Sequence, residues 1–299
     1  MTLLHIHTES HGILSFLESV FWHGFLDTIY IIPFLFLTYI LMELIEHKAS
    51  GKTKGFLEKS KLAGPIVGGA LGILPQCGFS AAAANFYTSR VITLGTLVAV
   101  FLSTSDEMLP ILISGKLPFG KIASILLYKA LVAIAAGFII DLVMRLMHRG
   151  CDEINIDAIC DEDGCNCENG IIRSALHHTF TIGVFIFIIT VLINTLVYFV
   201  GEEAITKILY DRPIISHIIA AFIGLIPNCA ISVALTNFAL SGFITFGTML
   251  SGLFTGAGVG LLVLFRINKN VKENLVITAT VFLIGAIFGY IADVIPIFR

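Results

Sequence analysis

The stretch Gly72-Ile-Leu-Pro75-Gln-Cys77-Gly-Phe-Ser80 returns 152 residues later as Gly224-Leu-Ile-Pro227-Asn-Cys229-Ala-Ile-Ser232. The match runs on without a gap through Asn85-Phe86 and Asn237-Phe238, Ser89 and Ser241, and Gly95-Thr96 and Gly247-Thr248. Over positions 72–96 and 224–248, 12 of 25 residues are identical. The same offset pairs Gly137 with Gly289 and Asp141 with Asp293. A fixed offset over so long a reach is the mark of an internal duplication.

Working outward, each half holds a long apolar segment (about 22–45; about 175–200), then a Gly/Ala-rich interrupted one (62–89; 214–241). Two further apolar segments follow (about 91–113 and 121–147; 243–265 and 274–296). Hydrophobic residues make up 57% of the 299 and charged residues 13%, about half of what a soluble domain of this length carries. Several segments approach the roughly 20 residues a helix needs to cross a bilayer. The chain therefore reads as an all-α polytopic membrane protein, with the lipid bilayer as its first partner.

The interrupted segments decide the architecture. Leu62–Pro75 and Cys77–Ser89 would each be only about 20 Å long as helices, too short to span. Pro75 and Pro227 remove a backbone donor and clash with the preceding turn, which breaks the helix. A re-entrant hairpin leaves three full spans per half, inverted halves and about ten helical segments in all. A single broken span would leave parallel halves. Five lysines in Lys48–Lys61 place that loop inside and the N-terminus outside, but charge does not choose between the two models. Inverted halves are the expectation, because paired interrupted helices at matching positions point to a transporter's central site. The organisation is then 1–147 as the first repeat, 148–173 as a connector and 174–299 as the second repeat. Met1–Gly12 lacks Lys and Arg, so the first apolar segment is expected to be a retained span rather than a signal peptide.

Unpaired backbone at membrane depth is tolerated only inside protein or beside a water-filled cavity, so the two Pro-x-Cys breaks should line one. Cys77, Ser80 and Asn85 from the first repeat, with Cys229, Ser232 and Asn237 from the second, are the candidate ligands there. Ser103-Thr104-Ser105-Asp106-Glu107 adds two adjacent carboxylates inside an apolar segment, where ionisable groups are functional by default. Read as part of a helix, their side chains would diverge by about 100°, one binding a cation and the other carrying a proton or hydrogen-bonding Ser103. The second half has Thr255-Gly256-Ala257-Gly258 at the matching place, so charge would come from one repeat only. His23, Asp27 and Glu43 in the first span are candidates for coupling.

The connector holds Cys151, Cys160, Cys165 and Cys167, with seven acids between Cys151 and Glu168. Thiols with carboxylates can hold a thiophilic or borderline divalent cation. Without those seven acids the chain has 14 acids against 18 Lys plus Arg, and no face resembles a nucleic-acid-binding surface.

Pro33 to Glu43, Pro75 to Ser80, Gly95 to Glu107 and Ile226 to Cys229 together resemble a prokaryotic family of ten-segment heavy-metal exporters. Its members are also labelled arsenic efflux proteins or manganese transporters. The resemblance covers most of the chain outside the N-terminus and the connector. It implies a multi-pass protein of the inner membrane that moves a metal or metalloid. The family's connectors are often rich in His as well as Cys; between Cys151 and Cys167 this one has no His.

The expected function is secondary efflux of a divalent heavy metal, with manganese favoured. Asp106, Glu107 and Asn85 offer hard oxygen ligands, while Cys77 and Cys229 suit soft ones. The alternatives are an arsenite, organoarsenical or other small-solute permease and, from another class, a membrane-embedded enzyme. The absence of any nucleophile or zinc-protease signature argues against the enzyme. No nucleotide-binding loop is present, so proton coupling is expected, with no permanent cofactor and with room for a homo-oligomer.

Overall fold

The computed structural model describes residues 21–22, 25–26, 28–29, 32–33, 36–37, 39–40, 63–73, 78–104, 108–147, 171–200 and 213–295. No strand occurs among them. Those between 21 and 40 are helical. The first repeat continues with α1 (Gly64–Leu71), α2 (Gly78–Thr88), α3 (Leu94–Ser103), α4 (Met108–Ser114) and α5 (Phe119–Leu146). After α6 (Ile171–Val200) the series returns as α7 (Pro213–Gly224), α8 (Cys229–Leu240), α9 (Phe246–Thr255), α10 (Val259–Ile267) and α11 (Val271–Val294).

The duplication is visible bond by bond. Thr93 caps α3 in extended backbone and accepts from the Thr96 amide at 3.1 Å, and Thr245 caps α9 in the same way at 3.0 Å. Such a cap is worth about 1 kcal/mol. Asp141 on α5 and Asp293 on α11 complete these caps, each accepting from a glycine amide, Gly95 or Gly247, at 2.8 Å. Each also accepts from the capping threonine hydroxyl. A carboxylate suits this place because the amides of a helix N-terminus point outward with the positive end of its dipole. The matched Asp141 and Asp293 are thus the clamps that tie the third segment of each half to the last.

Four stretches among the described residues are long and apolar enough to cross a bilayer: Leu94–Ser114, Phe119–Leu146, Phe246–Ile267 and Val271–Val294. The first and third run through the interior. Leu97 to Leu102 on α3 and Met249, Leu250 and Phe254 on α9 are buried on all sides. The other two are peripheral and turn large apolar side chains outward, among them Leu127, Leu131, Ile139, Leu283, Ile287 and Val294. In water such a surface would be costly, at about 25 cal/mol per Å²; facing acyl chains it is not. Each interior helix meets its peripheral neighbour closely. A Cβ on Gly95 would lie 2.1 Å from the Gly137 carbonyl oxygen, and one on Gly247 would lie 2.5 Å from that of Gly289. Small residues are what let membrane helices approach so closely.

The helices flanking the Pro-x-Cys breaks are short, as expected. The 8 residues of α1, 11 of α2, and 12 each of α7 and α8 give lengths of about 12–18 Å, none of which crosses a bilayer alone. The third segments depart from expectation, because they are broken as well. The first stops at Ser103, with Thr104 extended (φ −52°, ψ 127°), and resumes at Met108. The second stops at Thr255, where Gly256 leaves the helical path (φ −72°, ψ 69°), and resumes at Val259 after Gly258, whose φ is +54°. Asp106 and Glu107, between Thr104 and Met108 in the chain, lie outside the described residues.

Candidate functional site

The described helix ends that border the four breaks converge. In the first repeat the end of α1 lies against the end of α3, since a Cβ on Gly72 would meet the Ser103 hydroxyl. The second repeat repeats this contact, Gly224 at the end of α7 lying against Thr255 and Gly252 of α9. The helices that follow the breaks pack across the repeats: α2 on α10, where Gly260 abuts Ser80, and α8 on α4. The packing is reciprocal, with the helix after the first break of each repeat lying on the second half of the other's broken third segment.

Lys129, from the middle of α5, reaches this centre and is fully buried. Its ammonium donates to the Thr104 carbonyl at 2.6 Å and to the Leu253 carbonyl at 2.9 Å, one acceptor from each repeat. It also stands 5.6 Å from the centre of the Phe254 ring. Both carbonyls lie at the C-terminal ends of half-helices, where the dipole is negative and the last C=O groups have no helical donor. A buried charge is stable only with such compensation. The meeting point of α3 and α9 is built to hold positive charge.

The sequence-predicted residues fall around this point in several ways. Ser103 and Thr104 are buried at the end of α3, and the Thr104 hydroxyl donates to the Val100 carbonyl at 2.7 Å, leaving its oxygen acceptor capacity only. Thr255 occupies the matching end of α9 and donates to Ala221 of α7 at 2.7 Å, tying the two breaks of the second repeat together. Ser80 is buried in the first turn of α2, and Ser232, nearly so, in that of α8. Asn85 lies further along α2, fully buried, its amide oxygen accepting from the Tyr39 hydroxyl at 3.3 Å. The Asn85 amide nitrogen has no hydrogen-bond partner among the described residues. Asn237 is only partly buried, so the matched asparagines differ in setting.

Cys77, Ser105, Asp106, Glu107, His23, Asp27, Glu43 and the connector thiols Cys151, Cys160, Cys165 and Cys167 lie outside the described residues, as does the side chain of Cys229. Among the described residues, no three His, Cys, Asp or Glu side chains gather into a metal-holding group. What the described centre offers is oxygen: carbonyls of helix ends, hydroxyls and an amide. Sequence reasoning passed over Lys129, although one ammonium in the apolar run Ile122–Ile140 was itself the signal.

A family model described as "Putative, 10TM heavy-metal exporter" matches residues 19–182, more than half of the chain. No curated protein and no solved structure matches it.

Proposed function

Because the chain belongs to the family of 10TM heavy-metal exporters, we propose that it expels a divalent heavy metal through the point where its four helix breaks meet. The observation that carries this reading is the Lys129 ammonium held between the Thr104 and Leu253 carbonyls. A place that stabilises a tethered cation with two helix C-termini suits a mobile cation for the same electrostatic reason. Asp106 and Glu107 follow Thr104 directly in the chain and would supply the negative charge a dication needs. The arriving metal would then take over the helix ends as the ammonium withdraws.

The oxygen-rich character of the centre favours a hard or borderline cation, and Mn²⁺ is the first to test. Cys77 and Cys229, at the two hairpin tips, would instead favour a soft metal or arsenite. The reading includes inverted repeats, each with a re-entrant hairpin, in the inner membrane of a prokaryote. The short helices around Pro75 and Pro227 and the reciprocal packing of α2 on α10 and α8 on α4 support that arrangement. With no nucleotide-binding signature, an ion gradient would drive export.

The test is the metal content of cells with and without the protein, over a panel of Mn²⁺, Zn²⁺, Co²⁺, Cd²⁺ and arsenite. Lower cellular Mn²⁺ and improved growth in excess Mn²⁺ are expected on expression. A response to arsenite alone would transfer the substrate to the thiols, and no response to any member would remove the export reading.

A further inference from the structure

Away from the centre, the second repeat buries a histidine that the first repeat does not have. His217 on α7 is 2% exposed. Its Nε2 lies 3.2 Å from Asp293 Oδ2 and its Nδ1 lies 2.9 Å from the Ser251 hydroxyl. At the matching positions the first repeat carries Pro65 and Ala99. Yet Asp141 clamps α3 just as Asp293 clamps α9. The clamp therefore works without a histidine, and packing alone does not call for His217 or its hydroxyl partner.

The hydrogen bonds show which form of the ring the site accommodates in full. The Ser251 hydroxyl is also 3.1 Å from the Gly247 carbonyl, to which it can only donate. In the neutral ring that donates from Nε2 to Asp293, Nδ1 is an acceptor, and the single Ser251 proton must choose between Nδ1 and Gly247. With a second proton on Nδ1, the ring donates to Ser251, Ser251 donates to Gly247, and Nε2–H donates to the carboxylate. Every group is then satisfied at once. The Asp293 side chain is 22% exposed, so a proton has a partly open route to the pair.

Among the described residues, α8, α9 and α11 pack most closely on α7, and few titratable groups face His217 from them. The range of α9 contains none, α8 contributes only Cys229 at its first position, and α11 contributes Asp293 and Tyr290. The Tyr290 ring stands edge-on to the imidazole at 5.5 Å. Asp293 is thus the one acid in direct contact with the ring among the described residues.

We propose that His217, seated between Asp293 and Ser251, is a proton-binding site through which the second repeat couples proton movement to metal export. The inference rests on the export reading above for its coupling, but not for the proton site itself. It divides the labour between the repeats. The first carries the Asp106-Glu107 pair where the second has Gly258-Val259, and the second carries His217 where the first has Pro65. The link runs along α9, whose Ser251 meets the ring and whose Leu253 carbonyl, two residues on, holds Lys129. Loading the proton draws Ser251 onto the ring and the α9 backbone, and its loss frees that contact as the metal leaves.

The test has two arms, both on the full chain. In nanodiscs, the ring-nitrogen NMR signals of His217, assigned by their loss in His217→Asn, are followed over about pH 5–8, where histidine changes charge. A one-proton ring should convert to a two-proton ring as pH falls. Ser251→Ala, which removes an acceptor only the charged ring needs, should reduce the ratio of charged to neutral ring about tenfold at the wild-type midpoint. A ring that keeps one tautomer throughout overturns the proposal. In proteoliposomes loaded with a pH dye, a Mn²⁺ gradient should drive proton movement in the wild type and at least tenfold less in His217→Asn. Metal flux without proton movement in the wild type overturns the coupling and leaves the export reading intact. No flux of any metal fails the export reading, and the ring spectrum then still decides the proton site.

Discussion

Lys129→Met keeps the length of the side chain and removes the charge from the centre. The loss acts in two directions. Burying an ammonium is costly, so its removal relieves desolvation. The Thr104 and Leu253 carbonyls, however, lose a donor, at about 1–3 kcal/mol for each left without one. These effects largely offset, and the variant should fold and reach the membrane at near wild-type levels. Export should fall by about tenfold or more, equivalent to at least ~1.4 kcal/mol, because the tethered cation no longer holds the two helix ends in register. Wild-type export from Lys129→Met at equal expression would strip the residue of its role. Asp106→Asn tests the other charge. It keeps shape and hydrogen bonding but withdraws the anion a dication requires, and should abolish metal efflux in whole-cell metal analysis. Efflux retained in that variant would move the site to the thiol-bearing tips.

At the scale of helices, the close approach of α9 to α11 depends on the absence of a side chain at Gly289. A Cβ there would lie 1.9 Å from the Ser251 Oγ and 2.7 Å from its Cα. The Cα is backbone and cannot swing aside. Gly289→Leu should therefore push the helices apart and cost about 1–3 kcal/mol by overpacking, read as a lower melting temperature in detergent. Gly120→Ala is the control, since a Cβ there meets nothing within 4 Å. An unchanged melting temperature in Gly289→Leu would mean that the two helices do not meet as described. The broken third segments belong to this scale too. Thr255-Gly256-Ala257-Gly258 contains two glycines, a usual breaker signal, and was legible only as a place where acids are missing. Ser103-Thr104-Ser105 has no glycine or proline. Its hydroxyls compete with helical hydrogen bonding, a preference that propensity alone leaves undecided inside an apolar run.

For the whole molecule, the inverted repeats proposed above would put both termini outside and the 148–173 connector in the cytoplasm. An impermeant thiol reagent applied to intact cells should then leave Cys160 and Cys165 unlabelled until the membrane is opened. Ready labelling from outside would favour parallel repeats. The two halves interlock, α2 packing on α10 and α8 on α4. Each supplies part of the other's interior, which places the centre between repeats rather than within one.

The duplication, the membrane class, the family resemblance and the break at Pro227 were all legible in the residues, because each depends on local chemistry or on direct repetition. Hydropathy reports transfer to lipid, proline removes its own donor, and an offset of 152 needs no coordinates. Asp141 and Asp293 were visible as a pair but not as clamps, since their partners Gly95 and Gly247 lie 46 residues away in the chain. Lys129 and His217 were decided only by the tertiary structure. A lysine in an apolar helix gains its meaning from carbonyls 25 and 124 residues distant, and a histidine gains its meaning from a carboxylate and a hydroxyl on two other helices. Burial makes such groups depend on their neighbours, and in this protein those neighbours come from separate helices and, at Lys129, from both repeats.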